Sequence, residues 1–165
     1  MSDKTNMQRI DAILGDERFG YGVDRITLLE KERIFCCHGL EHLLDTARIA
    51  WIMVLENALS IRKDIVYGAA LLHDLGRYRQ YENDIPHYQA SAELAEQILP
   101  KAGYTADEVA LIVDAIRQHG AKPHTRGQLA QILYDADKLS RNCFQCKAQA
   151  ECKWEQEKRN KTIIY

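Results

Sequence analysis

Three observations predict an all-α fold, a single-domain helical bundle. Apolar residues recur at spacings of three and four along several segments, and no stretch sustains the period-two alternation of a strand. The 165 residues are enough for one hydrophobic core and too few to expect two.

The longest pattern joins Leu40, Leu43, Leu44, Ala47, Trp51, Val54, Leu55 and Ala58 on one face of a long helix. Ile65, Ala69 and Leu72 predict a second helix, and Leu94, Ala95, Ile98 and Leu99 before Pro100 a third. Thr105 followed by Glu108 reads as a capping box, from which Val109, Ile112, Val113 and Ile116 continue an amphipathic helix to Gly120. A further helix carries Leu129, Ile132, Leu133, Ala136 and Leu139, and helical patterns also cover 7–14 and 26–35. Breakers place loops at 15–22, 82–86, 100–104 and 120–127. The chain therefore divides into an N-terminal helix and loop packing on the core (1–24), a main helical domain (25–141) and a cysteine-containing tail (142–165). The tail is charged from Glu151 onward and reads as prone to fray.

Hydrophobic residues make up 46% and charged residues 28%, the balance of a soluble globular chain rather than a disordered one. A net charge of −2 supplies no broad positive field, which disfavours duplex nucleic acid. A small anionic substrate stays open to it, because a local metal ion with one or two Arg or Lys residues can dominate a pocket. The first six residues are polar, and the apolar runs at 49–55 and 65–72 fall well short of the roughly 20 residues that span a bilayer. No membrane partner and a cytoplasmic location are expected. Five cysteines, an odd number without an export signal, fit reduced thiols or metal ligands better than a disulfide framework. The oligomeric state stays open, a dimer included.

The chemistry concentrates at three places. His38 and His42 lie four apart, about one turn along a helix face, with His42 beside the apolar stripe. His73-Asp74 directly follows the apolar segment Ala69-Ala70-Leu71-Leu72, so a polar pair ends a buried helix; Asp74 there needs a cation, a metal or several donors. The dipeptide alone is a weak signal. Asp135 and Asp137 are two apart in a helical pattern and point about 200° from one another, so one faces inward. Asp137, four after Leu133, is favoured, with Asp135 as the fallback. Two imidazoles and two carboxylates suit Mn, Fe, Co, Mg or Zn with water in the open positions, better than a closed structural zinc site.

His42, then His73-Asp74, then Asp137 within Ala-Asp-Lys-Leu resembles the HD-domain superfamily of metal-dependent phosphohydrolases. The resemblance covers about residues 35–141. It implies an HD-type helical bundle, a divalent metal held by His42, His73, Asp74 and Asp137, and Asp74 as a catalytic group that orients the nucleophilic water. Asp45 stands where many members carry Arg, and His38 offers an alternate first ligand or an outer group. His87 and His119 resemble positions that, in some branches, bind a second metal or touch substrate phosphate. Their bland alternative is a helix-end histidine satisfying backbone groups. Arg77 and Lys138 could hold an anionic substrate, against the alternative of surface salt bridges. His124, in a polar loop, reads as solvated.

Cys143, Cys146 and Cys152 crowd into ten residues, and Cys36 or Cys37 could add a fourth ligand to a separate zinc or iron–sulfur site. The alternative is small buried or incidental thiols. The leading expectation is hydrolysis of a phosphate ester or anhydride, of a nucleotide or a phosphorylated metabolite. A di-iron oxygenase of the same superfamily, recruiting His87 and His119, and a non-enzymatic metal- or thiol-sensing module are the alternatives.

Overall fold

The computed structural model describes residues 3–120 and 126–165. His124 therefore lies outside the described residues. Every regular element among them is helical: α1 (Asp3–Leu14), α2 (Glu17–Leu29), α3 (Leu40–Glu56), α4 (Lys63–Leu72), α5 (Arg77–Asn83), α6 (His87–Ile98), α7 (Ala106–Gly120) and α8 (Gln128–Leu139), with 3-10 turns at Cys143–Gln145 and Gln156–Lys158. No helix among the described residues is long and apolar enough to cross a membrane.

The centre of the bundle is α4. Its residues Ile65, Val66, Ala69, Ala70, Leu71 and Leu72 are all buried, apolar nearly all round as a helix surrounded by others must be. It packs against α1, α3, α6, α7 and α8, while α5 lies on α2 and α6. On α3 the buried face runs through Leu43, Thr46, Ala47, Ala50, Met53 and Val54, rotated from the expected stripe. Leu55 is 60% exposed, and Ala58 falls outside the helix in the left-handed region. Heptad-like spacing fixes a helix; which flank of a wide apolar arc meets a neighbour depends on where that neighbour sits.

The largest departure is α2. The breakers at 15–22 predict a loop and the pattern at 26–35 a helix, whereas α2 runs through 17–22, agrees at 26–29 and ends before 30–35. Asp16 caps α2 by accepting a hydrogen bond from the Arg18 backbone N–H at 2.8 Å. Gly22 lies in mid-helix for packing rather than for turning: a Cβ there would stand 2.7 Å from Leu75 Cδ1. The tail is tied back at Arg159 and Asn160. Asn160 Nδ2 donates to the carbonyls of Lys138, Leu139 and Arg141, satisfying the open end of α8, and Arg159 donates to the carbonyls of Gln149, Cys152 and Trp154.

Candidate metal centre

Three helix segments deliver the site. His42 sits in the first turn of α3, His73 and Asp74 follow the last turn of α4, and Asp137 lies near the end of α8. Gly76, two residues past Asp74, lets the chain turn hard against α6: a Cβ would come 2.3 Å from Ser91 N, and Gly76 N donates to Ser91 Oγ at 2.8 Å. One ligand atom from each of His42, His73, Asp74 and Asp137 falls within 4.8 Å of all the others. His42 Nε2 is 3.5 Å from Asp74 Oδ2 and 3.4 Å from Asp137 Oδ1. His73 Nε2 is 3.5 Å and 3.9 Å from the same two oxygens.

The backs of the rings determine their fronts. His73 Nδ1 lies 2.6 Å from the Ala70 carbonyl and His119 Nδ1 2.7 Å from the Ile116 carbonyl. A carbonyl only accepts, so each Nδ1 carries a proton, and in the neutral ring each Nε2 then presents a lone pair. His42 Nδ1 meets Ser140 Oγ at 3.2 Å, and since that hydroxyl donates to the Asp137 carbonyl, it accepts from His42. His87 Nδ1 does the same with Gln80 Oε1 at 2.8 Å. Four imidazoles are thus locked in the tautomer that a metal takes. The Nε2 atoms of His42 and His73 are buried with no hydrogen-bond partner, an arrangement costly to leave unsatisfied and well suited to a cation.

Charge states follow from burial and neighbours. Burial, against the pull of Asp74, drops the His73 imidazole to about 3 and the His87 imidazole to about 4, so both are neutral near pH 7. Burial alone would raise both carboxyls. In the acid range where these groups would titrate, the fields of a charged His73 and of Arg77 on Asp74, and of His73 and Lys138 on Asp137, outweigh it and hold both carboxyls below the usual carboxylate range. Arg77 Nη2 donates to Asp74 Oδ1 and Oδ2 at 2.9 and 3.0 Å, and Lys138 Nζ is hydrogen-bonded to Asp137 Oδ2. Neither is a surface ion pair: each cation sits on a carboxylate of the site.

A second group, Asp74 with His87 and His119, shares Asp74 with the first. His87 Nε2 and His119 Nε2 stand 3.5 and 3.8 Å from Asp74 Oδ1, so the carboxylate faces two imidazoles on each side. His119 both satisfies its helix end and reaches the centre. His38 lies outside both groups; its ring meets that of His42 edge-on at 5.4 Å, and Glu30 holds its Nδ1 at 2.5 Å. Asp135 turns away to accept from Gln131 at 2.9 Å, and Asp45 pairs with Arg48. Neither cation-ready group among the described residues contains a cysteine. Burial raises the Cys36 thiol, Arg141 opposes that rise, and Cys143 and Cys146 nearby add to it. Sequence reading missed Ser140, Gln80 and Glu30, which position the imidazoles. Polar side chains of that kind carry no periodicity of their own.

Residues 39–142 match the HD domain, and the chain belongs to that family. It is 43% identical over 159 residues, 96% of this chain and 100% of the other, to an uncharacterized protein of Clostridium beijerinckii. A ribonuclease Y of Acidothermus cellulolyticus is 32% identical over 133 residues, 79% of this chain; the chain spans only 25% of that relative's length. The crystal structure of a predicted HD superfamily hydrolase from an uncultured Thermotogales bacterium shares the fold, with a TM-score of 0.65 at 22% identity, covering 87% of this chain and 79% of that one.

Proposed function

We propose that the protein is a metal-dependent hydrolase of phosphate esters or anhydrides, acting on a nucleotide or a phosphorylated metabolite through a metal-activated water. The observation that carries this reading is the pair of buried, unpartnered Nε2 atoms facing two ionised carboxylates. Such a mixed N/O set leaves coordination positions open and fits Mn, Fe, Co, Mg or Zn. His42, His73, Asp74 and Asp137 would hold the ion, which when bound supplies a lowered pKa for water and a counter-charge for phosphoryl oxygens. Asp74, a carboxylate at neutral pH, orients the attacking water and accepts its hydrogen bond. Arg77 and Lys138, already at the two carboxylates, present donors to an incoming phosphate.

The test is a broad panel of phosphorylated compounds with Mn, Co or Mg added. Turnover of at least one that Asp74→Ala abolishes supports the reading; silence across the panel overturns it. Because Asp74 joins two groups of imidazoles, a dinuclear iron centre performing oxygenation is the second reading. Visible or near-ultraviolet absorption from iron after aerobic purification, together with inactivity on phosphate esters, would favour it.

A further inference from the structure

Beside Asp137 five side chains alternate between cation and aromatic ring. Arg126 stacks over Tyr134 at 4.0 Å from the ring centroid, and Lys138 lies 4.9 Å from the same ring and 5.9 Å from that of Trp154. Arg141 stacks on Trp154 at 4.1 Å. Tyr134 and Lys138, four apart, share one face of α8, and Arg141 follows just past its C-cap at Ser140. Trp154 comes from the tail, outside the segment matched by the HD domain, and remains 43% exposed. The middle rung is Lys138, the residue hydrogen-bonded to Asp137 of the candidate metal centre.

We propose that this rim binds a short, single-stranded nucleotide chain, with unpaired bases taking the ring faces of Tyr134 and Trp154 from Arg126 and Arg141, whose guanidinia turn to the phosphates beside Lys138. The inference rests on the hydrolase reading and narrows its substrate class. Single-stranded nucleic acid is held by cations that track phosphates and by aromatic faces, or guanidinium planes, that stack bases. Two platforms flanking one lysine match the base–phosphate–base repeat, and that lysine puts the intervening phosphate at the metal site. A duplex hides its bases in its own stack, so it would use only the cations. The rim's three cations fall far short of the field that long duplex binding demands, as the net charge of −2 also implies.

The experiment is fluorescence anisotropy of a labelled single-stranded oligoadenylate with the full-length protein, competed by unlabelled single strand, duplex and inorganic phosphate. Trp154→Ala and Tyr134→Ala should each weaken binding about tenfold, and Trp154→Phe by less than about threefold, since a ring is kept. In a Trp51→Phe background, Trp154 is the remaining tryptophan and its emission should quench as oligoadenylate saturates the site. That readout stands even if Trp154→Ala unfolds. Wild-type affinity in both alanine variants, an unquenched Trp154, or duplex competing as well as single strand overturns the proposal. Binding needs no turnover, so the two readings fail separately. Stacking without hydrolysis would remove the hydrolase and leave the rim; hydrolysis with Trp154-independent binding would do the reverse.

Discussion

Helix α4 carries a cluster of buried charge at each end, and the two are finished differently. At its start, Asp64 is fully buried and accepts from Arg9 Nη1 at 3.0 Å and from Arg62 Nε and Nη2 at 3.1 and 2.6 Å. Glu108 closes the network, accepting from Arg9 at 3.1 Å, pairing with Arg62 at 2.7 Å and capping Thr105 N at 2.8 Å. At its far end, Asp74 and Asp137 are also buried and ionised, yet the Nε2 atoms of His42 and His73 that face them are buried with no hydrogen-bond partner. Burying polar groups is costly, so a cluster whose every member is paired stabilises a fold, whereas one with lone pairs turned inward is completed by something else. The comparison separates a structural ion network from a binding site without reference to any relative.

The largest expected effect falls on the unfinished end. Asp74→Ala should weaken binding of Mn more than about a hundredfold, exceeding what outer-sphere changes cost, with cooperative unfolding retained; titration calorimetry measures it. At the finished end, Asp64→Ala leaves Arg9 and Arg62 without their buried partner and should cost about 3 kcal/mol in urea denaturation with metal stoichiometry unchanged. If both variants lost the same property, the contrast between the clusters would collapse.

The finished cluster also makes a pH prediction. Burial pushes the Asp64 carboxyl up, but the hydrogen bonds from Arg62 and Arg9 outweigh it and hold it below its ordinary value. A carboxylate depressed in the folded state contributes stability that is fully present above the unfolded value of about 3.9 and disappears as pH falls through the folded one. Stability of the wild type should therefore decline as pH falls below about 4, and Asp64→Ala should flatten that limb. A subtler change, Ser140→Ala, removes the acceptor behind His42 together with the hydroxyl's bond to the Asp137 carbonyl and should reduce metal affinity about tenfold with little effect on stability. The smallest expected effect is at Gly22→Ala, which presses a methyl on the buried Leu75, 2.7 Å from Cδ1 and 3.3 Å from its carbonyl oxygen, and should cost about 1 kcal/mol with metal stoichiometry unchanged.

The parts of this molecule legible in the sequence were those with a period or a partner in sequence. His73-Asp74 stood out because it ended the buried run of α4, and Asp137 was separable from Asp135 because a helix turns them to different sides. α2 escaped because Gly20 and Gly22 read as breakers, while the tight approach of Gly22 to Leu75 exists only once the chain has folded. Seven-residue α5 lacks a repeating apolar stripe; Tyr78 is its buried residue. Glu30 reaches His38 across eight residues and Ser140 reaches His42 across ninety-eight, contacts for which sequence spacing holds no signal.

Anomalous scattering from a crystal grown with Mn would locate the ion and its ligands together. The expected result is a peak bounded by His42 Nε2, His73 Nε2 and the carboxylates of Asp74 and Asp137. A crystal whose manganese lies elsewhere, or whose four side chains turn away to separate partners, would contradict it.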